Sequence, residues 1–168
     1  MDKSKVANRL KGIVPLPKVA ALPPGLSRKS APGSSVQVTE LLPGNRPGAA
    51  SDVQALENAG WTFAEPSPDT ADDAFQVLLD SDGRVKLSGK ALIVRLRKDM
   101  TEAAIREMLA KHGLQIRRSL GFAENTFVVE GKPGAALDSA RRLNEDDLVD
   151  YAEPVMVEAI SGRRDGSR

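Results

Sequence analysis

The sequence predicts an α+β fold whose main domain is a four-stranded antiparallel sheet with two helices on one face. Residues 91–160 alternate between strand and helix patterns in the order β-α-β-β-α-β. Both helix patterns place their apolar residues on one side, so each helix has a face to bury. Right-handed crossovers then bring both helices to the same face of the sheet. This is the ferredoxin-like arrangement, and it leaves the other sheet face at least partly open.

The first four elements follow from local sequence. "ALIVRLR" alternates apolar and polar residues as a strand does. "TEAAIREMLAKHG" predicts a helix that Thr101 caps and Gly113 ends. "LQIRRSL" and "NTFVVEG" predict the next two strands. The inward side of the predicted helix carries Ile105, Met108, Leu109 and His112.

The last two elements complete the domain. "PGAALDSARRLNED" predicts a helix that points Leu137, Ala140 and Leu143 inward. "LVDYAEPVMVEA" predicts the final strand, which this topology pairs with the first strand at a sheet edge. Pro154 is acceptable there because an edge strand can leave one N–H position unpaired.

Residues 35–90 predict a small β-rich annex with one helix, in β-α-β-β order. "SVQVTELLPG", "WTFAEP" and "AFQVLLDSDGRVKL" read as strands, the last of them a hairpin that turns at Asp82-Gly83. "SDVQALENAG" reads as a helix that Ser51 or Asp52 caps and Gly60 ends. Trp61 and Phe63 are expected to be core residues.

Residues 1–34 are basic and rich in proline, so we expect a disordered arm. The alternative is an arm that lies across an acidic partner surface. Residues 161–168 are expected to form a flexible C-terminal tail. Lys11 and three neighbours interrupt every apolar stretch near the N-terminus, which argues against a signal peptide and favours a cytoplasmic location. These neighbours are Pro15, Pro17 and Lys18.

Composition excludes several function classes. The net charge of +1 gives no case for nucleic acid binding, and no segment has transmembrane length. Without Cys and with a single His, the chain has few routes to a metal or cofactor site, and none is expected. Gly121-Phe122-Ala123 echoes part of the RNA-recognition signature, but the flanking residues break it.

Two polar features have ordinary interpretations. His112 lies on the apolar side of its helix near the C-terminus, where a partly buried, locally satisfied histidine is expected rather than a catalytic base. Glu145-Asp146-Asp147 is expected to be solvated surface, because no second cluster at ligand spacing accompanies it.

Residues 91–160 resemble the N-terminal prodomain of subtilisin-like serine peptidases, the subtilases. "MLAKHGL", "ALDSARRL" and "VDYAEP" carry the resemblance through their order and spacing, over about 70 of the 168 residues. The catalytic motifs of that family are not carried over. Asp69-Thr70 is followed by Ala71, His112-Gly113 by Leu114, and Gly-Thr-Ser does not occur. The resemblance therefore implies a chain that is not itself a peptidase.

The resemblance implies an inhibitor or intramolecular chaperone of a subtilase, monomeric when free, that acts in cis before processing or in trans. Such modules dock by the open sheet face and lay the following segment product-like in the active-site cleft as an added strand. Here that segment comprises Glu158, Ala159, Ile160, Ser161, Gly162, Arg163 and Arg164. One register puts Ile160 in the fourth pocket before the scissile bond and Arg163 in the first.

Two alternatives remain open, because the same topology serves many functions. One is a protein-interaction module without a protease partner, for example a truncated gene product. The other is a regulatory domain that binds a small ligand.

Overall fold

The computed structural model describes residues 3–25 and 47–159. Within these ranges the chain forms four α-helices, seven strands and one short 3₁₀-helix, Pro68–Thr70. An α+β fold is therefore confirmed. In chain order the elements are α1 Lys3–Lys11, β1 Val14–Leu22, α2 Pro47–Asn58, β2 Thr62–Ala64, β3 Phe75–Leu79, β4 Val85–Leu96, α3 Glu102–Lys111, β5 Gln115–Ser119, β6 Thr126–Glu130, α4 Ala136–Leu143 and β7 Val149–Glu158. None of these helices is long and apolar enough to cross a membrane.

The chain divides into two compact units, and neither is continuous in sequence. Among the described residues, the first unit comprises 3–12 and 88–155. The second unit comprises 13–25, 47–87 and 156–159.

The sheet of the first unit has the strand order β7-β4-β6-β5. If the four strands of this unit are numbered 1 to 4 along the chain, their order across the sheet is 4-1-3-2. This is the order of a ferredoxin-like sheet. β6 lies antiparallel to both β4 and β5, with Leu92 opposite Val129 in the first pairing and Ile116 opposite Val129 in the second. The predicted pairing of the last strand with the first is confirmed.

The two predicted helices of the first unit are confirmed, and α3 begins and ends at the predicted residues. The Thr101 side chain caps α3 by accepting a hydrogen bond from the Ala104 N–H at 3.2 Å. Gly113 follows the helix with φ +74°, a left-handed conformation that glycine adopts without strain. The helices bury the residues expected from their spacing, namely Ile105, Met108, Leu109, Leu137, Ala140 and Leu143.

The expectation of a disordered N-terminal arm is wrong for residues 3–25. Residues 3–11 form α1, which buries Val6 and Leu10 and packs on α4. An Arg141 guanidinium N–H donates to the Leu10 carbonyl at 2.8 Å, where the end of α1 leaves carbonyl groups without helical partners. Two apolar side chains four residues apart give this short basic helix a face to bury, and polar contacts of Lys3 and Arg9 also hold it.

β1 forms in spite of Pro15 and Pro17 because of its pairing. It pairs with β3 through Val14 and Pro15, then again through Ala20 and Ala21, with a register shift in between. Its pairs with β2 begin only at Ala20, so Pro17, which can donate no N–H, lies outside the paired positions of both ladders.

The helix and hairpin of the annex are confirmed, with one correction. α2 begins at Pro47, so Ser51 and Asp52 lie inside the helix and neither caps it. The hairpin turns at the predicted position, where Gly83 has φ +81° and the Asp80 carboxylate accepts from the N–H groups of Asp82 and Arg84 at 2.9 Å each. The strand predicted from residue 35 lies outside the described residues.

A further correction concerns the boundary placed at residue 90. β4 is one uninterrupted strand, Val85–Leu96, rather than the end of a hairpin followed by a separate strand. Ser88 and Gly89 lie between the two strand segments predicted from the sequence, yet both are buried within this single strand. Residues 85–87 of β4 belong to the second unit and residues 88–96 to the first.

The core of the second unit is formed by β1, α2, β2 and the β3–β4 hairpin. Phe63 is 2% exposed, and the Trp61 ring contacts Phe75 edge to face with centroids 5.0 Å apart. Phe63 is thus a core residue as expected, whereas Trp61 is partly buried and packs against that core. The cluster consists of Leu16, Val19, Ala21, Ala49, Val53, Leu56, Phe63, Val77, Leu79, Val85 and Leu87.

Candidate functional site

The helix-free face of the first unit's sheet is the first part of the candidate site. Leu92, Val94 and Leu96 alternate along β4 and are fully buried. Ile93, between them, points to the opposite face and is only partly buried. Its cross-strand partner Val128 is also partly buried, so the two form a small apolar centre on this face.

Charged pairs surround this apolar centre. Arg95 Nε lies 3.7 Å from Asp150 Oδ2, and Lys90 Nζ lies 4.0 Å from Glu130 Oε1. Glu130 Oε2 also accepts from Arg117 at 3.0 Å. An apolar patch within a rim of paired charges is the composition of a protein-interaction surface.

The base of the predicted tail is the second part. β7 pairs with β4 and ends at Glu158, whose carboxylate forms an ion pair with the Lys86 ammonium. Ala159 packs against the core of the second unit. These two are the only predicted tail residues that the structure describes. Residues 160–164 lie outside the described ranges.

Pro154 lies within β7 and is buried. In the described part of the first unit, β7 pairs with β4 alone. The proline therefore sits in an edge strand of that unit, where one side of the backbone carries no ladder and its missing N–H costs no pairing.

His112 is the C-cap residue of α3, and its side chain lies close to the carboxylate of Asp146. Its Nε2 lies 4.0 Å from Asp146 Oδ2, and its side chain is 23% exposed. Asp146 also accepts from the Leu148 N–H at 2.9 Å, while Glu145 and Asp147 are exposed. Among the described residues, no group of three or more His, Asp or Glu side chains is placed to hold a metal ion.

Gly121-Phe122-Ala123 lies in the loop between β5 and β6 and not on a strand. The Phe122 ring is 87% exposed. An aromatic residue of an RNA-recognition sheet stands on the strand surface, so this tripeptide lacks the placement of that signature.

An ion pair in the second unit, between the buried Asp52 and the partly exposed Arg84, was missed by sequence reasoning. Asp52 is 2% exposed and accepts from Arg84 Nε at 2.8 Å, from Arg84 Nη2 at 2.5 Å and from the Val85 N–H at 3.0 Å. Burial by itself raises the pKa of the Asp52 carboxyl. The hydrogen bonds from Arg84 and Val85, with the charges of Arg84 and Lys86, outweigh burial and hold that pKa below its ordinary value. The pair joins α2 to the hairpin.

A cavity in the first unit was also missed. It has a volume of about 330 Å³ and lies between α1 and the end of α4. Its lining combines apolar side chains with charges of both signs: Ala7, Leu10, Lys11, Arg141, Asn144 and Glu145. The spacing of Val6 and Leu10 could have revealed α1, but the cavity depends on residues far apart in sequence.

No protein-family model, curated protein or solved structure matches this chain. The residues and the geometry given above therefore carry the inference of function. Those residues support non-covalent recognition, through a partly apolar sheet face and through a strand that leads into the tail.

Proposed function

We propose that this chain is a prodomain-like inhibitor, or folding chaperone, of a subtilisin-like serine protease. The observation that carries the proposal is the ferredoxin-like sheet, whose last strand β7 leads from an edge position into the tail. The helix-free face around Ile93 and Val128 supplies a docking surface in the same unit.

In the proposed mechanism the sheet face binds the enzyme surface and the tail enters the cleft as an extended strand. Backbone hydrogen bonds attach such a strand, and pockets select its alternate side chains. Ile160 would occupy the fourth pocket and Arg163 the first. Inhibition follows because a folded module presents the tail with less loss of conformational entropy than a free peptide.

Deleting residues 160–168 tests the mechanism. We expect the full chain to inhibit at least one member of a panel of purified subtilases and the deletion to raise the inhibition constant by about a hundredfold. The measurement is residual peptidase activity against a chromogenic substrate. Inhibition that survives the deletion unchanged would contradict a tail mechanism, and a complete lack of inhibition would contradict the proposed function.

A pair of point variants serves as the matched control. Arg163→Asp and Arg168→Asp make the same charge change, but only the first alters the residue proposed for the first pocket. Arg163→Asp should weaken inhibition about tenfold, and Arg168→Asp should change it by less than about twofold. Equal effects of the two variants would refute the proposed register.

One observation favours a second candidate function, the binding of a small ligand. The cavity between α1 and α4 falls at the lower end of the size range of ligand sites and carries Lys11 and Glu145. A cation and an anion at one cavity fit an amphoteric molecule such as a free amino acid.

Thermal unfolding in the presence of amino acids or nucleotides tests this candidate. If an amino acid binds, a saturating concentration should raise the Tm by about 3 °C or more. Lys11→Gln should reduce the increase, whereas Lys5→Gln, an exposed position on the same helix, should leave it unchanged. A Tm that none of the compounds moves counts against ligand binding.

A further inference from the structure

We propose that the second unit clamps the start of the tail, so that the annex sets the inhibitory strength of this chain. This inference rests on the proposed function and assigns a role to the part of the chain outside the ferredoxin-like unit. The tail base is defined as residues 157–159, all of which belong to the second unit.

The apolar part of the clamp is the packing of the tail base on the second unit's core. The side chains of Val157 and Ala159 contact the buried cluster that contains Phe63 and Leu87. Two residues earlier on the same strand, Val155 is 41% exposed and belongs to the first unit. Contact with the second unit's core is therefore a property of the tail base and not of β7 in general.

The polar part of the clamp is the ammonium group of Lys86, whose side chain is only 18% exposed. This group forms an ion pair with the Glu158 carboxylate and lies 3.8 Å from Asp80 Oδ2. Asp80 is itself fixed, because its other carboxylate oxygen accepts from the N–H groups of Asp82 and Arg84. The hairpin turn thus holds Lys86, and Lys86 holds Glu158.

The clamp holds Glu158 and Ala159, the first two residues of the predicted tail, and ends one residue before Ile160. Ala159 is held by the core, and Ile160 is the residue proposed for the fourth pocket. A fixed tail base restricts the position and direction in which the chain leaves the second unit at Ala159. Such restriction lowers the entropic cost of entering a cleft and therefore strengthens inhibition.

Two matched double variants of the full chain test the clamp. The clamp variant is Lys86→Ala with Val157→Ala. The control variant is Lys98→Ala with Val155→Ala, which removes the same side-chain atoms at exposed positions of the first unit. Hydrogen exchange at the amides of residues 157–159 should become at least about fivefold faster in the clamp variant and stay within about twofold in the control.

Inhibition of a subtilase then connects the clamp to function. The inhibition constant should rise about tenfold for the clamp variant and less than about twofold for the control. If the clamp variant fails to fold, Lys86→Ala alone replaces it, with Lys98→Ala as its control, and only Lys86→Ala should raise the inhibition constant. If the wild-type chain and the clamp variant inhibit a subtilase equally well, the proposed role of the clamp is wrong and the proposed function stands. A wild-type chain that inhibits no subtilase overturns the proposed function, and the inhibitory role of the clamp with it.

Discussion

Arg84→Met is expected to lower the free energy of unfolding of the second unit by about 3 kcal/mol at pH 7. The variant keeps most of the length of the side chain but removes its charge. Asp52, 2% exposed, then loses two of its three hydrogen bonds and keeps only the one from the Val85 N–H. A buried carboxylate without a counter-charge is strongly destabilising.

The measurement is urea unfolding followed by Trp61 fluorescence. Trp61 is the single tryptophan of the chain and packs on the core of the second unit, so its emission reports on that unit. Lys18→Met is the control, because it removes an exposed positive charge from the same unit. It should change the free energy of unfolding by less than about 0.5 kcal/mol.

A double variant shows whether stability is lost because the ion pair is absent or because Asp52 is left as an unpaired charge. Adding Asp52→Leu to Arg84→Met removes the carboxylate that the single variant leaves buried. Replacing both members of a buried pair by apolar groups is far less costly than removing one. We therefore expect the double variant to recover most of the lost stability. If the double variant is as unstable as Arg84→Met, the unpaired Asp52 carboxylate is not the cause of the lost stability.

The same pair gives stability a defined dependence on pH. The folded state holds the pKa of Asp52 below its ordinary value, so the contribution of Asp52 is complete above its unfolded pKa of about 3.9. The contribution is lost as pH falls through the folded pKa. In Arg84→Met, protonation instead removes the buried unpaired charge. The difference in the free energy of unfolding between wild type and Arg84→Met should therefore become smaller as the pH is lowered from 7 to 3.

The elements that sequence reasoning predicted correctly are those with local determinants. Thr101 and Gly113 mark the ends of α3 by groups within one turn of the helix. The alternation of residues 92–96 assigns the two faces of β4, and so predicts where an apolar docking centre can lie. The order of such elements was sufficient for the ferredoxin-like arrangement.

The features that sequence reasoning missed depend on contacts between distant residues. Pro15 and Pro17 disfavour a strand locally, but the burial of Leu16 and Val19 outweighs that preference. Asp52 has the side chain of a helix cap, and nothing local to α2 shows that Arg84 will neutralise it inside the helix. The clamp on Glu158 requires Lys86, which is 72 residues away.

Phe63→Ala is expected to destabilise the second unit by about 4 kcal/mol. Phe63 is among the largest fully buried side chains and lies in the centre of the cluster that also receives Trp61 and the tail base. Truncation to alanine loses the transfer free energy of the ring and leaves a cavity in the close-packed cluster. Urea unfolding monitored by Trp61 fluorescence measures the loss.

Phe122→Ala provides the matched control, since it makes the identical chemical change at a ring that is 87% exposed. Circular dichroism should show its free energy of unfolding within about 0.5 kcal/mol of wild type. Because the tail base packs on the same cluster as Phe63, Phe63→Ala should also speed hydrogen exchange at residues 157–159, and Phe122→Ala should not. Equal losses of stability in the two variants would show that the second unit has no packed core around Phe63. The clamp proposed for the tail would then have no rigid body to hold it.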